Sequence, residues 1–104
     1  MAQFDIYENA NPETMGLYPY LLDVQADILA DLPTRIVVPL VLASEIKKPI
    51  PVLNPAMDVC QIKVIMQTPQ MASVKLMVLG LKVGSGSAIR DQIIAALDLT
   101  FTGY

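Results

Sequence analysis

The chain contains no histidine. That absence removes both the commonest general base and the commonest metal ligand, and with them the usual forms of a hydrolytic triad. Cysteine occurs once, at Cys60, so no internal disulfide closes. The apolar neighbours Val59 and Ile62 lead us to expect an inert, buried thiol there. Charge is sparse: 7 basic against 10 acidic residues, 16% in all, for a net charge of −3. Proteins that grip phosphate backbones cluster Lys and Arg, and the only arginines here are Arg35 and Arg90, so direct nucleic-acid binding is not expected. Long apolar runs are missing too. Although 54% of residues are apolar, none of the runs reaches the roughly 18 residues that a membrane span requires. The start, MAQFDIYEN, shows neither a basic leader nor an apolar stretch followed by small residues, and the expectation is a cytoplasmic protein.

Sites that need particular spacings are also lacking. Asp23, Asp27 and Asp31 stand at intervals of four and would share a face only on a helix, which Pro33 and the β-branched flank argue against. Gly84-Ser85-Gly86 has no Lys where a P-loop needs one. It reads as a flexible link. No metal, no cofactor and no enzymatic activity are expected, which points to a binding protein.

At 104 residues the chain has the size of one domain, taken as 1–104, and its apolar surplus suggests an oligomer interface. The pattern is mainly β with a C-terminal α-helix. Gln3 to Glu8 alternates Phe4 and Ile6 against Asp5 and Tyr7, the period of a strand with one wet face. Asn9 to Gly16 supplies turn residues before a second apolar stretch from Tyr18 to Val24, which makes a hairpin with a long tip. Asp27 to Thr34 interrupts, and Arg35 to Leu42 resumes as a β-branched strand with an edge or bulge at Pro39. One helical turn at Ser44 to Lys48 leads into an irregular crossing through Pro49, Pro51 and Pro55. Cys60 to Thr68 and Val74 to Leu81 read as a second hairpin.

Ser87 to Tyr104 has helical periodicity, with Ile89, Ile93, Ala96, Leu97 and Thr100 on one face and Asp91 and Asp98 on the other. Ser87 is the expected N-cap and Gly103 the expected stop, which leaves Thr102 to Tyr104 beyond the helix.

Two stretches resemble the CcdB family of toxins. They are Asp23-Val24-Gln25-Ala26-Asp27-Ile28-Leu29 followed by Arg35-Ile36-Val37-Val38-Pro39-Leu40, and Gln70-Met71-Ala72-Ser73-Val74 leading to Leu79-Gly80. Gln3-Phe4 with Tyr7, and Ile94-Ala95-Ala96-Leu97-Asp98 with Gly103, fit as well. The resemblance implies an antiparallel, SH3-barrel-like CcdB fold, a homodimer, and a toxin that binds the DNA gyrase A subunit and traps the enzyme on cleaved DNA. It places gyrase contacts at Ile28, Leu29, Asp98, Phe101, Thr102, Gly103 and Tyr104. The family's best-known ending is Asn, two residues, then Phe-Trp-Gly-Ile. Here Asp98, Thr102 and Tyr104 replace Asn, Trp and Ile.

Candidate dimer contacts are Met66, Met71, Ala72, Ser73, Met77 and Gly103, the methionines because flexible thioethers fill irregular gaps. An acidic rim of Glu8, Glu13, Asp23 and Asp27 suits the basic, disordered tail of a CcdA-like antitoxin, the second partner that the resemblance implies. Two other readings stay open: a degenerate relative that dimerises and binds antitoxin without poisoning gyrase, and an endoribonuclease like the MazF and Kid toxins.

Overall fold

A computed structural model describes residues 2–103. The strands are β1 (Asp5–Asn9), β2 (Tyr20–Asp23), β3 (Thr34–Leu42), β4 (Ala56–Val59), β5 (Ile62–Met66), β6 (Ala72–Lys75) and β7 (Leu79–Ser85), followed by the helix α1 (Arg90–Thr102). All strand pairs are antiparallel, in the order β4-β5-β3-β2-β1-β7, with β6 paired to the other end of the edge of β3 that carries β5. The result is a half-barrel with one C-terminal helix, as the sequence pattern and the resemblance led us to expect.

Period-two alternation builds the core. Ile6, Leu22 and Val38 lie in register across three strands, and Leu40 is opposite Met66. These side chains, with Phe4, Val24, Val64 and the helix residue Ile93, form one buried cluster. Ile93 and Ala96 are buried while Asp91 and Asp98 are exposed, so the helix lies on the sheet by the face expected. It begins later than Ser87, because Ser87–Ile89 forms a separate 3-10 turn and no side chain caps the helix. Ser87 hydrogen-bonds the Ser85 hydroxyl instead. At the other end Gly103 adopts φ 79° and its amide donates to the Leu99 carbonyl, the left-handed stop for which glycine is suited. Thr102 is therefore inside the helix, not beyond it, and Tyr104 lies outside the described residues.

Several expectations need correction. Cys60 to Thr68 does not pair with Val74 to Leu81; β5 pairs with β4 and β3, β6 with β3, and β7 with β1. The true hairpin turns at Cys60 and Gln61, whose φ values of 52° and 67° have the signs of a type I′ turn. Without Asn or Gly the turn carries no sequence signal, and at its tip Cys60 is exposed, not buried. The run Gly84 to Ser87 is no flexible link either. Gly84 and Ser85 belong to β7, and a Cβ on Gly86 would stand 3.0 Å from Ile93 Cδ1 and 3.2 Å from Leu22 Cδ1. Glycine there permits the close approach of chain to core.

Pro39 was expected at an edge or bulge, and it falls where β3 changes partner, between β6 pairing up to Val37 and β5 pairing from Leu40. Its carbonyl accepts the Gln67 amide in that gap. In an antiparallel strand a residue's N–H and C=O leave on the same side, so the missing donor falls where no ladder partner is needed. Finally, the face of β1 expected to be wet is covered: Asp5, Tyr7 and Asn9 are buried, and Glu8 is the exposed residue of the strand.

Ile93 should be the main tie between helix and sheet. Replacing it with Ala should cost about 2–5 kcal/mol in denaturant unfolding, as for other fully buried aliphatics. Phe101→Ala, on an exposed residue of the same helix, should stay within about 0.5 kcal/mol.

Candidate functional site

The polar centre of the molecule lies on the sheet face opposite α1. Arg35 on β3 and Asp23 on β2 are both fully buried, and Arg35 Nε donates to Asp23 Oδ2 at 2.9 Å while Nη2 reaches the same oxygen. Asp23 Oδ1 accepts the Gln25 amide at 3.0 Å. Nearby on β1, the Tyr7 hydroxyl donates to Asp5 Oδ2 at 3.3 Å, and the half-exposed Lys82 stands 3.2 Å from Asp5 Oδ1.

Burial, the nearby charges of Asp5 and Asp23, and the bond to Asp5 push the Tyr7 phenol up to about 12. Burial also raises Asp23, with Arg35 and the Gln25 amide opposing it. For Asp5, burial acts upward but is outweighed by the Ala2 amide, Lys82 and Tyr7, so its carboxyl lies below the ordinary value.

Asp23 was expected on an exposed acidic rim. It is instead the buried partner of Arg35, because its strand position alternates onto a covered face. Glu8, Glu13 and Asp27 are exposed, although the Asp27 carboxylate accepts the Gln3 amide at 2.8 Å. Met66 is likewise unavailable to a second copy, since it lies opposite Leu40 with no solvent exposure. Met71 is half-buried against the core, while Ala72, Ser73 and Met77 are exposed, Met77 by 80%.

The residues assigned to gyrase contact occupy two elements. Ile28 and Leu29 sit on a 3-10 turn, Asp27–Leu29, with Ile28 91% exposed. Asp98, Phe101, Thr102 and Gly103 are exposed at the end of α1, Phe101 by 71%. No hydrogen bond or ion pair joins the two groups among the described residues. Thr102 Oγ1 donates to the Asp98 carbonyl at 2.7 Å, turning its hydroxyl back on its own helix.

Sequence reasoning missed the parts played by Arg35, Gln25 and Gln3. A signal existed for the first: Asp23 interrupts the apolar run Tyr20 to Val24, Arg35 heads the apolar run of the next strand, and buried charges of opposite sign are found in pairs. Among the described residues, no group of three or more His, Cys, Asp or Glu is placed to hold a metal ion.

Ile28 and Phe101 are thus large apolar side chains held in solvent on two ordered elements. A sequence model of the family described as CcdB protein matches residues 3–103 of the 104. The chain belongs to the CcdB family, and that membership implies the toxin of a toxin–antitoxin pair. No curated protein matches it.

The buried Tyr7 predicts an alkaline weakness. Between about pH 10 and 12 the folded protein keeps a proton that the unfolded chain releases, so stability falls as pH rises through that window. The loss should be on the order of 2–3 kcal/mol by denaturant unfolding. It should be largely absent in Tyr7→Phe.

Proposed function

We propose that the protein is a gyrase-directed toxin which, as a single-domain homodimer, binds the A subunit, traps the enzyme on cleaved DNA, and is neutralised by a CcdA-like antitoxin. It acts by binding, without catalysis and without holding DNA itself. One observation carries the reading: Ile28 and Phe101, large apolar side chains at family contact positions, are among the apolar residues most exposed to solvent. The fold derives little stability from either, which leaves them free for a partner.

Gyrase contact is assigned to Ile28, Leu29, Asp98, Phe101, Thr102 and Gly103, and to Tyr104 beyond the described residues. Dimer contact falls to Ala72 and Ser73 on β6, with Met71, Met77 and Gly103. β6 pairs only with β3 among the described residues, and Ala72 borders a shallow apolar cavity of about 190 Å³ between Leu21, Val37, Pro39 and Val74. Antitoxin contact falls to Glu8, Glu13 and Asp27, the exposed carboxylates that remain once Asp23 is set aside.

The degenerate-relative reading has one observation in its favour, the inward hydroxyl of Thr102 where the family carries an aromatic. A nuclease reading loses ground, because burial of Arg35 leaves Arg90 as the only arginine open to solvent.

Titration of the purified protein against the gyrase A-subunit fragment tests the reading, alongside supercoiling assays. Phe101→Ala should weaken binding by about tenfold or more, as loss of an aromatic anchor does. Thr102→Trp should tighten it by about tenfold, since an indole can bury roughly 150–250 Å² where Thr offers little. Absence of gyrase binding in all three forms, with antitoxin binding retained, would establish the degenerate relative.

A further inference from the structure

We propose that Gln25 is a positioning residue: its buried carboxamide holds the turn that displays Ile28 and Leu29 in the shape a partner recognises. This rests on the gyrase reading for the identity of the partner, but the geometry stands without it.

The problem that Gln25 solves follows from exposure. A turn normally keeps its shape because its apolar side chains pack, and an ordered residue that does not pack must offset its lost backbone entropy in some other way. All residues from Ala26 to Pro33 are exposed, and Ile28 has hardly any protein around it. The turn has local backbone bonds, Leu29 N–H to the Ala26 carbonyl, Ala30 N–H to Asp27 and Leu32 N–H to Leu29, each 3.0 or 3.1 Å. Such bonds face water and are weak alone.

Gln25 adds an anchor from inside. It is 3% exposed, and its Nε2 donates to the Leu29 carbonyl at 2.9 Å, tying the far end of the turn to the sheet. Its Oε1 accepts the Ile36 amide at 3.1 Å. The preceding rung is an ordinary one, Val24 N–H to the Ile36 carbonyl at 3.0 Å. The side-chain carboxamide thus takes the place of a backbone peptide at the point where the chain leaves the sheet, extending the β2–β3 ladder by one rung and spending its other half on the turn. Only a side chain with donor and acceptor at the end of two methylenes can do both. Gln25 is itself fixed by its amide's bond to Asp23, and hence by Arg35.

The test is Gln25→Met, which fills the same space without either bond, measured in two ways. Amide exchange at Ala30 and Leu32 should quicken by about tenfold, as loss of a buried anchoring hydrogen bond permits. Affinity for the gyrase A fragment should fall by about tenfold, and this fall should vanish when Gln25→Met is made in an Ile28→Ala, Leu29→Ala background, where nothing remains to position. If Gln25→Met does not fold, Gln25→Glu replaces it: it keeps an acceptor for Ile36 and, when ionised, loses the donor to Leu29. Unchanged exchange at Ala30 and Leu32 overturns the proposal. So does an affinity loss that persists in the Ile28→Ala, Leu29→Ala background, which would give Gln25 a role apart from the turn. If the wild type does not bind gyrase, the functional reading fails and the exchange result alone decides whether Gln25 holds the turn.

Discussion

The ion pair of Arg35 and Asp23, wholly out of water, constrains everything around it. Taking two charges out of solvent costs several kcal/mol each, and only close, well-directed contact brings that back. The contact exists because β2 and β3 pair in one register, with Asp23 opposite Val37 and Arg35 two residues further along the same face. A slip of one residue would move Asp23 to the face under the helix, among Phe4, Leu22 and Ile93, with no cation to meet it. The pair therefore fixes register as well as filling space. Arg35 Nη1 has no partner among the described residues, so the guanidinium has little to spare if its carboxylate is taken away.

From that fixed point the two faces of the sheet diverge in purpose. One carries the aliphatic cluster that seats α1 and so aims the end of the helix, where Phe101 stands in solvent. The other carries the polar set of Asp5, Tyr7, Asp23 and Arg35, and through the amide of Gln25 it reaches the turn that bears Ile28. Each of the two proposed recognition elements is exposed but hangs from a buried support. A binder built this way loses little freedom when its partner arrives, which favours affinity from a small number of anchors.

The sequence disclosed β1 by its alternation, β2 and β3 by their dense apolar residues, and the face of α1 defined by Ile93 and Ala96 by its helical period. It also disclosed the stop at Gly103, where a left-handed φ needs glycine. What stayed hidden was set by partners far along the chain. Val74 pairs with Arg35 and not with the nearer β5, because the long β3 offers both ends of one edge. The turn at Cys60 and Gln61 uses residues that do not announce a left-handed pair. Asp23 and Tyr7 looked solvent-facing because alternation separates two faces without saying whether the second is covered. Of the candidate contacts, the turn and the helix end were legible from the resemblance, whereas Gln25 was not, since its role depends on where Ile36 falls across the ladder.

A double-mutant cycle on stability reads out whether the buried pair of Arg35 and Asp23 acts as one unit on which the register of the sheet depends. Arg35→Met alone should destabilise by about 3–5 kcal/mol, because it leaves a carboxylate buried without its cation, and Asp23→Leu alone by a similar amount. The double variant, with an apolar pair in the same space, should lose much less than the sum of the two, a coupling of at least about 2 kcal/mol. Losses that simply add would mean that the two charges are independently placed, and that the register is held by something else.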